Sequence, residues 1–97
     1  MKTVLISWDR YGYVAELRDV TGLSEHDRLV AAANSQNYWW ESGGLENIPG
    51  RWELFTGTRK ECREKEKAVR IAECNTAWQN GNDYCQCGYA DCPYSDD

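Results

Sequence analysis

The chain has 97 residues, 41% hydrophobic and 28% charged, which is enough for one domain with a small core and too apolar for a disordered tract. Its net charge is −5. All 11 basic residues and 11 of the 16 acids lie in residues 1–70, so the whole excess sits in residues 71–97, as Glu73, Asp83, Asp91, Asp96 and Asp97. That segment has no Lys or Arg to meet phosphate, which argues against nucleic acid contact there and suits a basic surface on a partner.

Residues 3–8 alternate, with Val4, Ile6 and Trp8 on one side and Thr3, Leu5 and Ser7 on the other, which predicts a strand. Asp9, Arg10, Tyr11 and Gly12 read as a turn, with Gly12 free to take a positive φ. Residues 13–20 form the second strand of a hairpin, with Ala15 and Leu17 inward and Glu16 and Arg18 outward. The first ten residues carry too short an aliphatic run for a secretory signal, and no stretch is long enough to span a bilayer, so the expected location is cytoplasmic. After Thr21 and Gly22, Ser24 is placed to cap a helix whose first turn holds Glu25 and Asp27. Leu29, Val30 and Ala33 supply its apolar stripe over about three turns.

Residues 38–41 read as a short strand, followed by a loop and a further strand at 51–56. In the latter, Trp52 and Leu54 share one face, and Arg51, Glu53 and Phe55 the other. Thr58 and Glu61 have the spacing of a capping box and start a helix running from Arg59 to about Trp78. Its expected stripe is Cys62, Ala68, Val69, Ile71, Ala72 and Trp78, with Arg63, Glu66, Arg70 and Glu73 opposite. The order is then strand–strand–helix twice, with similar joints at Thr21-Gly22-Leu23-Ser24 and Thr56-Gly57-Thr58, a hint of duplication. The expected fold is α+β: a four-stranded antiparallel sheet with two helices on one face (ββαββα) over residues 1–80, and an acidic, Cys-containing tail over 81–97.

Five cysteines are an odd number, which argues against a disulfide framework in a reducing compartment. Cys74, Cys85, Cys87 and Cys92 follow a C-x10-C-x-C-x4-C pattern. Four thiolates can hold one structural zinc tetrahedrally, although the spacing is not that of common ribbons or fingers. Cys62 with His26, the only histidine, is the one nucleophile–base pair the residue types permit, and nothing local supports it. There is no Gly-rich phosphate loop, no serine elbow and no His-Glu-x-x-His. The expectation is a protein that is not an enzyme, with no cofactor or at most that zinc.

Trp39 and Trp40 are adjacent, so in a strand they must face opposite sides. With helices on one face only, Leu5, Phe55 and one of these tryptophans would make an open apolar face beside Arg51. Tryptophan, tyrosine and arginine dominate protein-binding hot spots, so Trp39, Trp40, Phe55 and Arg51 are candidate partner-binding residues, with Asp91, Asp96 and Asp97 of the tail. A short chain with an acidic tail and no reaction motif is similar, as a class, to small accessory proteins of phages and mobile elements, anti-CRISPR proteins among them. No motif carries this resemblance, and it transfers no site. The resulting expectation is a protein-binding module that inhibits a nucleic-acid-handling complex; the alternative is a zinc-stabilised structural or nucleic-acid accessory module.

Overall fold

The computed structural model describes residues 1–38, 44–81, 88–89 and 92–93. Three strands, β1 (Lys2–Trp8), β2 (Val14–Asp19) and β3 (Arg51–Gly57), form an antiparallel sheet in the order β2-β1-β3. Two helices accompany it, α1 (Glu25–Ser35) and α2 (Arg59–Gln79), with a 3-10 turn at Leu45–Asn47. The class is α+β, but the sheet has three strands among the described residues rather than the four expected from the sequence.

The missing strand has a local explanation at its first residue. Asn37 adopts a left-handed conformation (φ 55°) just after α1. Its amide donates to Asn34 O at 3.1 Å, and the Tyr38 amide donates to Ala33 O at 2.9 Å. This pair of bonds is a Schellman cap with Asn37 in the glycine-like position. It commits the Tyr38 amide to the helix end rather than to a strand ladder. The rest of the expected strand, 39–41, lies outside the described residues.

The helices also divide differently from expectation. Leu5 and Ile6 are adjacent in β1, point to opposite faces, and are both fully buried. Leu5 packs with Val20, Ala31 and Ala32, joined by Ile48, Trp52 and Leu54, so α1 covers that face. Ile6 and Trp8 pack with Val69, joined by Val4, Val14, Leu17 and Phe55, so α2 covers the other. The sheet is therefore a middle layer between two helices, not a two-layer structure with one open face. Burying a Leu or Ile side chain is worth about 1.5–3 kcal/mol, so each face of β1 gains separately from its own helix.

The hairpin forms where expected. Gly12 takes φ 89°, and the Asp9 carboxylate accepts from the amides of Tyr11 (2.8 Å) and Tyr13 (3.0 Å). One detail departs from simple alternation. Ser7 pairs with Glu16 but Trp8 with Val14, leaving Ala15 as the extra residue of a bulge. Ala15 is exposed, and Val14 joins Leu17 on the α2 face in its place.

Both helix starts match their sequence signals. Ser24 Oγ accepts from the Asp27 amide at 3.1 Å. Thr58 and Glu61 make the reciprocal capping box, at 3.1 and 2.9 Å. On α2, Cys62 and Val69 face the sheet as expected, while Ala68 is exposed and Trp78 is 60% exposed. Cys74 is buried, yet it lies about 140° around the helix from Val69 and so looks away from the sheet. Lys67 Nζ, also on the outer side of α2, sits 5.6 Å from the Tyr89 ring, and Cys92 is buried.

Candidate functional site

Helix α2 does not run squarely over the sheet. At its start, Cys62 Sγ lies 3.6 Å from Lys2 O and 3.8 Å from Gly57 O, beside β1 and β3. Toward its end, Glu73 accepts from the Val14 amide at 2.6 Å, and Asn80 donates to Tyr13 Oη at 3.1 Å, beside β2 and the hairpin turn. The helix thus crosses from the β3 side to the β2 side. That crossing leaves the far end of β2 uncovered and opens a groove of about 280 Å³ between β2 and the first turns of α2.

The groove has an apolar floor of Val4, Ile6, Leu17 and Cys62. Its rim is basic, with Lys2, Arg18, Arg59 and Arg63, tempered by Asp19 and Glu66. Lys2 is paired with Asp19 at 3.3 Å, and Arg18 approaches Glu16 at 4.0 Å. Arg59 and Arg63 have no ion pair among the described residues. Their placement is unfavourable for the helix itself. Arg59 is the first residue after the Thr58 cap, where the dipole disfavours cations, and Arg63 is four residues on, on the same side, where like charges repel. Two cations without an ion pair among the described residues, placed against a local helix preference beside an apolar floor, single this groove out as the candidate site.

Asp19 adds a fixed negative charge at one end. The Thr21 hydroxyl, then its backbone amide (2.9 Å), and Lys2 bring its carboxyl pKa down to about 2. It is ionised at any physiological pH and pairs with Lys2, so Arg59 and Arg63 are the rim cations without an ion pair among the described residues.

The residues singled out from the sequence are distributed differently. Phe55 pairs with Val4 and Leu5 with Leu54, so Leu5 and Phe55 are on opposite faces and cannot share one patch. Phe55 is half-buried under α2, with Lys65 Nζ 5.6 Å from its ring. Arg51 is exposed at the start of β3, its guanidinium 4.0 Å from the Trp8 ring, a cation–π stack on the same sheet face as Phe55. Cys74 and Cys92 are both buried. Trp39, Trp40, Cys85, Cys87, Asp91, Asp96 and Asp97 lie outside the described residues. Among the described residues no group of three or more His, Cys, Asp or Glu converges on a point. His26 is exposed on α1 and Cys62 faces the sheet from α2, so the sheet stands between them and they form no nucleophile–base pair.

The groove was not among the sequence candidates. Its one linear trace is Arg59-x-x-x-Arg63 at a capped helix start, a pattern that reads as a solvated surface until β2 is placed beside it. No helix among the described residues is long and apolar enough to cross a membrane. No protein-family model, curated protein or solved structure matches the chain.

Proposed function

We propose that this chain is a small, non-enzymatic protein-binding module, and that the groove between β2 and α2 receives its partner. The observation that supports this reading is the pairing of an apolar floor with Arg59 and Arg63, two cations that have no ion pair among the described residues and sit where the helix itself disfavours them. Such a surface gains from an apolar side chain flanked by a carboxylate. The acid-rich segment 71–97 supports a particular form of the reading: an inhibitor that meets a nucleic-acid-handling complex on the basic surface meant for its substrate.

Affinity capture from a bacterial lysate tests both levels, with wild type compared against the Arg59→Glu, Arg63→Glu double variant. Both sites are on the exposed side of a capped helix, so the variant is expected to keep its circular dichroism spectrum. It should lose the partner that wild type retains; equal capture by both proteins would sink the groove assignment. The inhibitor form requires salt-sensitive binding. Retention that persists unchanged in about 1 M salt, where the Debye length is about 3 Å, rules out charge mimicry.

The zinc-stabilised alternative draws on Cys92, only 4% exposed although it sits in a polar stretch, and on buried Cys74. Metal analysis of protein purified without added zinc separates the two: about one zinc per chain, lost on Cys87→Ser, supports the alternative.

A further inference from the structure

The groove has a property that a simple pocket does not: one of its walls is the edge of a sheet. β2 is an outer strand, with β1 on one side only, and the groove lies along it on the face that α2 covers. The hydrogen-bonding phase of that edge follows from the ladder. The Val20 amide donates to Thr3 O at 2.9 Å, so Thr3 and Val20 oppose each other as a hydrogen-bonded pair. In an antiparallel ladder such pairs alternate. Leu5–Arg18 and Ser7–Glu16 are therefore the next bonded pairs, and the main-chain groups of Leu17 and Asp19 point outward, away from β1. These are two of the three β2 residues that line the groove.

The rest of the edge is closed. The bulge at Ala15 interrupts the ladder, and the Val14 amide is taken by the Glu73 carboxylate at 2.6 Å. An edge strand is ordinarily blunted along its length by bulges, charges or covering elements. Here the closing devices act at the hairpin end, while among the described residues no strand other than β1 pairs with the stretch from Glu16 to Asp19, whose Leu17, Arg18 and Asp19 line the groove with Arg59 and Arg63.

We propose that the groove takes an extended acidic–aliphatic segment of a partner protein, which adds as a strand to the β2 edge. The segment's main chain pairs with Leu17 and Asp19. Residues two apart turn the same way, so an aliphatic residue enters the floor of Val4, Leu17 and Cys62, and a carboxylate two residues along the segment reaches Arg59 or Arg63 on the same face. This inference rests on the groove being the binding site and adds the mode and the class of ligand. A second copy of this chain is a poorer occupant, because it would bring the same basic rim to the same edge.

The test uses the full chain, isotopically labelled, and blocked synthetic peptides of about six residues, the usual strand length. One carries valine and glutamate two residues apart with threonine between them, so that both turn to the same face, one replaces glutamate with lysine, and one repeats the first with N-methyl groups on its pairing amides. With the first peptide, amide hydrogen exchange at Leu17 and Asp19 is expected to slow by about tenfold or more, as for newly paired amides. The lysine and N-methylated peptides should bind at least about tenfold more weakly, and the Arg59→Glu, Arg63→Glu variant should prefer the lysine peptide. If the N-methylated peptide binds equally well and shifts Cys62 and Arg63 resonances without protecting Leu17 and Asp19, strand addition is wrong and the groove assignment survives. If no peptide perturbs any groove residue, both fail. Protection at Leu17 and Asp19 that grows with protein concentration in the absence of peptide would identify a second copy as the occupant and overturn the proposal.

Discussion

Replacing Gln36 with glutamate should destabilise the protein in a pH-dependent way, because that amide joins three elements. Its Nε2 donates toward Ser7 Oγ (2.6 Å), Trp8 O (3.0 Å) and Arg51 O (2.9 Å), linking the end of α1 to β1 and β3. The protons around it can be counted. Ser35 Oγ has a single proton, shared between Ala32 O (2.6 Å) and Ser7 Oγ. The buried Ser7 hydroxyl accepts from Ser35 Oγ (2.9 Å) and from Gln36. Losing the amide therefore removes two N–H donors that are shared among two carbonyls and a buried hydroxyl. At about 1 kcal/mol net per bond, trimmed because Gln36 itself is half-exposed, Gln36→Leu should cost about 1–2 kcal/mol, a fall in Tm of about 5–10 °C. Gln36→Glu should cost more at neutral pH, since a carboxylate would face carbonyl oxygens that repel it, and its folded-state pKa is pushed upward. The sign follows: the folded protein holds that proton more tightly than the unfolded chain, so the extra deficit is absent below the unfolded value of about 4.3, grows as pH rises to the folded pKa, and is constant above it. Urea unfolding followed by tryptophan fluorescence, with wild type subtracted at each pH, measures it. A Gln36→Glu protein as stable as wild type at pH 7, or a deficit with no pH dependence, would refute the bonding scheme.

Further outcomes follow from other contacts. Gly50→Ala should destabilise through the same region, because Gly50 takes φ 81° and a Cβ there would overlap Oε1 of Gln36; thermal melts should show a drop that Gln36→Ala partly relieves. Thr58→Ala removes one arm of the capping box and should cost about 1 kcal/mol, read as a lower urea midpoint at unchanged m-value. The Asp19 carboxyl should titrate near 2 by carbon-detected NMR and move back up in Thr21→Ala. Its folded pKa is depressed, so its contribution to stability is present above about 3.9 and is lost as pH falls toward 2.

The sequence by itself determined the features whose causes lie within a few residues. Ser24 and Thr58 mark the helix starts because a side-chain oxygen two or three residues from a free amide is a local geometry. Asp9 and Gly12 define the hairpin turn for the same kind of reason. The alternation of Val4, Ile6 and Trp8 against Thr3, Leu5 and Ser7 was equally legible, as was the split of Trp52 and Leu54 from Phe55. Joining those alternations required a register, and a register is a contact between residues about fifty apart. Pairing Val4 with Phe55 and Leu5 with Leu54 put Leu5 and Phe55 on opposite faces, and no pattern inside either strand carries that information. Tertiary structure likewise decided that each face receives its own helix, since the stripes of α1 and α2 record that each helix is buried on one side and not which side of the sheet buries it. Asn37 ended α1 with a cap that took the Tyr38 amide, an asparagine doing what the pattern reserves for glycine. The groove belongs wholly to this second category. Arg59 and Arg63 are an ordinary charged helix surface in one dimension, and they become a candidate site only because α2 crosses the sheet obliquely and leaves the edge of β2 open beside them.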